Sequence, residues 1–167
     1  MRSGSRVWWA AKIRQFGLHV RARVSPAERR GIEAWTTPAQ RALFDAMHVA
    51  DRRHGLDVAA TLRRDGVADV EVLVAGLLHD AAKGQTGILP RVIYSLGTAY
   101  GSWIPRLGAA VPGMRAPLER LRTHAEESAR LAEAAGCSIR TVELIRWQDD
   151  PRDPVFGEQL RLADEAN

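Results

Sequence analysis

Leu77-Leu78-His79-Asp80 sets an imidazole and a carboxylate side by side at the end of a strongly apolar helix. Val70, Leu73, Val74, Leu77, Leu78 and Ala81 recur with the helical period and form a wide buried face. The pattern predicts a helix over about 68–83, stopped by Gly84. Burying an ionisable pair costs several kcal/mol unless each group finds a partner or a metal. Side chains at adjacent helical positions diverge by about 100°, so an ion held by both must lie near the helix end. Any further ligands then have to come from neighbouring helices.

Two residues answer that description. His54 stands one turn before Val58 on the same face of its helix, so it points toward whatever Val58 packs against. Asp164 follows Leu160 and Ala163 on the last helix, at the edge of their buried face. His48 competes with His54 as a ligand, but its position ends the preceding helix. His19 reads as surface of the N-terminal arm.

The rest of the chain also reads as helix. Ser25-Pro26-Ala27-Glu28 and Thr37-Pro38-Ala39-Gln40 each offer a capping hydroxyl, a proline at the first helical position and Glu or Gln at the third. The first opens a short helix toward Trp35. The second opens one running through Leu43, Ala46, Met47 and Ala50. A helix over about 51–65 follows, stopped at Asp65-Gly66. The glycine- and proline-rich stretch 84–117 reads as one helix, around Val92, Ile93, Leu96 and Tyr100, followed by a loop or lid. That stretch would roof the site with Arg91, Tyr94, Tyr100, Trp103, Arg106 and Arg115. A long amphipathic helix from Leu118 to Ala135 ends at Gly136, and Ser138 caps another through Val142 and Ile145. The loop 149–154 leads to a last helix from Val155 to Ala166. No sustained alternation or hairpin signal calls for a sheet. The expectation is an all-α domain, a compact multi-helix bundle of seven to nine helices over residues 25–167, preceded by a basic arm over 1–24.

Charge separates those two parts. Residues 1–30 hold eight basic side chains and one acid, +7, whereas the remaining 16 basic and 19 acidic residues sum to −3. Trp8, Trp9, Ile13, Phe16 and Leu18 alternate with these basic residues. The arm could lie on an anionic membrane or nucleic acid, or its tryptophans could pack on the domain. Lys12 and Arg14 interrupt the first apolar run too early for a signal peptide. No stretch approaches the ~20 apolar residues of a membrane span. Cys137 is the only cysteine, which excludes an intrachain disulfide and a cysteine-rich zinc cluster. A cytoplasmic setting is expected.

The segments His54-Gly-Leu-Asp-Val58-Ala59, Gly76-Leu77-Leu78-His79-Asp80-Ala-Ala-Lys83-Gly84 and Leu162-Ala163-Asp164 together resemble the HD superfamily of metal-dependent phosphohydrolases. The likeness covers about residues 40–167 and leaves the arm outside. It implies an all-helical HD-type bundle with one divalent ion, of manganese, iron, cobalt, nickel, zinc or magnesium, held by His54, His79, Asp80 and Asp164. Two histidines and two carboxylates leave positions on an octahedral ion for water and a phosphate oxygen.

The implied substrate is a phosphorylated small molecule such as a nucleotide. Asp80 could orient or deprotonate the attacking water. Lys83, one of two lysines beside 22 arginines, could reach a substrate phosphate or simply complement the helix dipole. Arg52 and Arg53 are further phosphate-binding candidates, or a solvated face. His124, on the inner stripe between Leu121 and Ala125, resembles the extra histidine of some HD branches and is a catalytic candidate. Two-metal branches carry another histidine pair where this chain reads Arg146-Trp147-Gln148-Asp149, which argues for a single ion. The competing expectation is a non-catalytic metal- or nucleotide-binding module with a regulatory or interaction role.

Overall fold

Both proline-led capping boxes form. Ser25 and Glu28 exchange side-chain-to-backbone hydrogen bonds at the start of α1 (Pro26–Gly31), and Thr37 and Gln40 do so at α2 (Pro38–Ala46). The structure, a computed structural model, describes residues 22–84 and 86–167. The arm residues Trp8, Trp9 and His19 lie outside the described residues. Further along come α3 (Val49–Arg64), α4 (Val70–Leu78), α5 (Ile88–Tyr100), α6 (Trp103–Gly108), α7 (Arg115–Ala134), α8 (Ile139–Arg146) and α9 (Gly157–Ala166). All regular structure among the described residues is helical, as the periodicity predicts. No described helix is long and apolar enough to cross a membrane.

Three boundaries differ from expectation. The second helix stops at Ala46 instead of reaching Ala50, because Met47 is extended and His48 begins α3. His48 Nδ1 accepts the Ala50 N–H at 3.3 Å, so an imidazole does the capping work usually done by Ser or Asp. The apolar helix ends at Leu78 rather than near residue 83, with His79 as its C-cap and a turn through 82. The stretch 84–117 contains two helices, α5 and α6, where one helix and a loop were expected. Gly101, at φ 124°, turns the chain between them. Gly97 gives Pro105 room to pack, since a Cβ there would sit 2.5 Å from the proline Cδ.

Helix α4 is the axis of the fold. Every residue from Val72 to Leu78 is buried, and α3, α8 and α9 pack against it while α7 backs α8. Its tightest neighbour is α3. A Cβ on Gly55 would lie 2.3 Å from the Leu77 carbonyl oxygen, and one on Gly76 would lie 2.9 Å from Leu62 Cδ1. One glycine on each helix thus sets the spacing, and Val58 and Leu62 fill the seam around them with no more than 1% of their surface exposed.

Replacing Gly55 with alanine should therefore destabilise the protein by about 2–4 kcal/mol in urea unfolding, because backbone must move to admit one methyl group. Gly31→Ala, where a Cβ would meet nothing within 4 Å, should change stability by less than about 0.5 kcal/mol. Equal effects of the two substitutions would refute this account of the α3–α4 contact.

Candidate metal centre

The close approach of α3 to α4 brings His54 beside His79, their ring centroids 5.1 Å apart and the planes at 62°. His79 is 1% exposed. Its Nδ1–H donates to the Gly76 carbonyl at 2.9 Å. A carbonyl can only accept, so Nδ1 carries hydrogen and Nε2 is left to face the carboxylates. Asp80 Oδ1 lies 3.5 Å from that nitrogen and Asp164 Oδ1 3.3 Å. Asp164 reaches in from α9 and also lies 2.7 Å from His54 Nε2. The ligand atoms of His54, His79 and Asp164 all fall within 4.8 Å of one another.

Asp80 occupies the inner wall beside this triad. Its Oδ2 accepts from Lys83 Nζ at 2.5 Å and lies 4.0 Å from His54 Nε2. Its Oδ1 lies 3.7 Å from His124 Nε2. His124, buried on the inner face of α7, donates its Nδ1–H to the Leu121 carbonyl at 2.6 Å. Gln148 closes the same wall. Its Nε2 lies 3.4 Å from both the His79 carbonyl and His124 Nε2.

The charges act strongly on one another. Burial opposes the charged form of His79, but the carboxylates of Asp80 and Asp164 outweigh it and push the imidazole up to about 9. Burial likewise works against the Asp80 carboxylate, yet His79, Lys83, His54 and His124 hold it below the usual range. Asp164, desolvated only on the side that faces the cluster, is held well below that range by His79 and by its contact with His54. His124 is pushed down by burial and by Lys83, with Asp80 opposing.

Residues present here fit a divalent cation. Nitrogen and oxygen ligands about 2.1 Å from one ion stand roughly 3–4 Å apart, the spacing His79 keeps from Asp80 and Asp164. His79 Nε2 and Asp80 Oδ1 are buried without a hydrogen-bond partner. A buried polar atom with no partner costs about 1–3 kcal/mol, and two of them facing one point make that point a site for a positive charge. The Gly76 carbonyl fixes the ring of His79 from behind, as the outer partner of a ligating histidine does.

The other predicted residues divide. Lys83 lies in the site, on Asp80. Arg53 is tied to Asp57 at 2.7 Å and to Glu28, so it braces α1 against α3. Arg52 has a buried Nε without a partner. In the expected roof, Arg91 turns inward and pairs with buried Asp51 through two hydrogen bonds of 2.8 and 2.9 Å. It also donates to the Thr86 and Gly84 carbonyls, pinning the segment that follows Lys83. Trp103, Arg106 and Arg115 face solvent.

Gln148, Asp51 and Gly55 escaped the reading of the sequence as contributors to this site. A glycine inside a helical pattern beside His54 was the one available signal. Asp51 stands three residues before His54, and Gln148 three after buried Ile145, but neither spacing names a partner. No family model, curated protein or solved structure matches the chain.

Excess divalent manganese or zinc should raise the melting temperature by roughly 5–10 °C, the shift expected at about a hundredfold excess over the dissociation constant. His79→Ala should abolish the shift. Melting curves of the wild type that ignore every divalent ion tried would reject the site.

Proposed function

We propose that this chain is a single-ion phosphohydrolase of the HD type, acting on a phosphorylated small molecule, with nucleotides the first class to test. The observation that carries this reading is the pair of unpartnered buried atoms, His79 Nε2 and Asp80 Oδ1, beside His54 and Asp164. His54, His79 and Asp164 would hold the ion, with Asp80 as a further ligand or its neighbour. When bound, a divalent ion acidifies its water and polarises a phosphoryl oxygen.

The remaining chemistry belongs to the side chains. Two carboxylates and one ammonium would leave the pocket one net negative charge once an ion had displaced the proton that the carboxylates favour on His79, so a bound divalent ion would leave one net positive charge, attractive to phosphate. Asp80 can take a proton from an attacking water through the oxygen that Lys83 does not occupy. Lys83 holds the other oxygen and offers a positive charge toward the ester. His124 Nε2, 3.7 Å from that same Oδ1 of Asp80, can take up the proton in turn. His54 and Asp164, the more exposed members at 17% and 38%, form the side by which a substrate would enter.

Purified full-length protein should contain near-stoichiometric metal and cleave some member of a panel of phosphomonoesters, phosphodiesters and nucleotides. Asp80→Ala should lower kcat roughly a hundredfold or more. Stoichiometric metal with no turnover on the whole panel would overturn the enzymatic reading. A second reading, a non-catalytic metal- or nucleotide-binding module, draws on the ion pair that engages Asp80 with Lys83. It requires tight nucleotide binding without turnover.

A further inference from the structure

Helix α5 turns a broad apolar arc away from the core. Placed at about 100° per residue, Ile88, Leu89, Val92, Leu96, Ala99 and Tyr100 fall within roughly one third of its circumference. That arc faces outward: Ile88, Leu89, Val92 and Tyr100 are between 41% and 55% exposed. The inward side of the helix holds buried Pro90 and Gly97, and at its edge Arg91 meets buried Asp51. A helix on the surface of a globular domain ordinarily turns such an apolar arc inward.

Beyond the Gly101 corner, α6 adds two more exposed apolar side chains. Trp103 and Leu107, one turn apart on α6, are 58% and 65% exposed. Arg106 lies beside them and Arg115 follows at the start of α7, both exposed. No carboxylate occurs in the sequence between Asp80 and Glu119, although the chain has 20 acids in all. The face is therefore apolar and aromatic, with Arg106 and Arg115 at its rim and one carboxylate, Glu119, beside Arg115.

We propose that the α5–α6 face docks on an anionic lipid surface, with Trp103 and Leu107 entering the acyl boundary and Arg106 and Arg115 meeting lipid phosphates. The charge pattern favours this occupant. Contiguous exposed apolar residues with a polar rim mark a protein or membrane contact, and a basic rim with tryptophan suits the headgroup region. A second copy of this chain would set arginines against arginines, with no acid in the segment to receive them. The proposal does not rest on the phosphohydrolase reading, since lipid binding is measured without turnover.

The test is co-sedimentation of the full chain with vesicles of phosphatidylcholine alone and of equimolar phosphatidylcholine and phosphatidylglycerol. Binding should occur on the mixed vesicles, weaken with added salt, and fall at least about tenfold in Trp103→Glu/Leu107→Glu. Arg106→Glu should weaken binding to the anionic vesicles. Both substituted apolar residues are exposed, so the melting temperature should stay within a few degrees of wild type. Absence of binding, or equal binding by the double variant, which would point to the basic arm, overturns the proposal. So does a wild-type dimer that the double variant converts to monomer, or a large fall in the variant's melting temperature, which would mean the face is already covered within the chain.

Discussion

At Gly55 the backbone of α3 rests against the Leu77 carbonyl oxygen, closer than any side chain would permit. Gly55 is one residue after His54, and Leu77 is two before His79. The helix pair therefore sets how far apart the two imidazoles stand. If α3 were pushed outward by the width of a methyl group, His54 would withdraw from both Asp164 and His79. A packing contact between two apolar helices and the geometry of a polar cluster are here the same constraint. Gly76 serves it twice, admitting Val58 and Leu62 to the seam and receiving the His79 Nδ1–H on its carbonyl.

Around that contact, charge is placed by compensation. Asp51, Asp80 and His79 are almost completely buried, where a charge without a partner is costly. Arg91 neutralises Asp51 through a two-pronged pairing, and Lys83 neutralises one oxygen of Asp80. Of these three groups, the atoms left without a partner, His79 Nε2 and Asp80 Oδ1, lie together where α4 meets α3 and α9. Elsewhere the arginines bind acids locally, as Arg140 does with Asp69 and Asp153, joining the start of α4 to the loop before α9.

The helices were legible because their signals are local. Ser25, Thr37 and Ser138 cap where capping chemistry says they should, and Gly66 and Gly136 take positive φ where the patterns stop. His48 was misplaced because an imidazole is an uncommon cap. The break at Gly101 was missed because glycine and proline announce a turn without saying whether helix resumes. In the site, His79 and Asp80 stood out by the cost of burying them, and His54 and Asp164 by the faces they share with apolar neighbours. The Arg91–Asp51 pair spans 40 positions and Gln148 meets residues 24 and 69 positions away. Such contacts depend on how helices cross, which no periodicity encodes.

His54 and Asp164 are 110 positions apart in the chain. One is carried by a helix locked to the core through Gly55, the other by the last described helix, with a side chain still more than one third exposed. Opening of α9 alone would remove Asp164 while α3 and α4 kept their seam, and such partial openings cost less than global unfolding. Integrity of the cluster is thus tied to the docking of α9 on α3 and α4 rather than to the stability of the whole. Substitutions that touch no ligand, at Leu160 or Ala163 on the buried side of α9, would act on the site by changing how often that helix lets go.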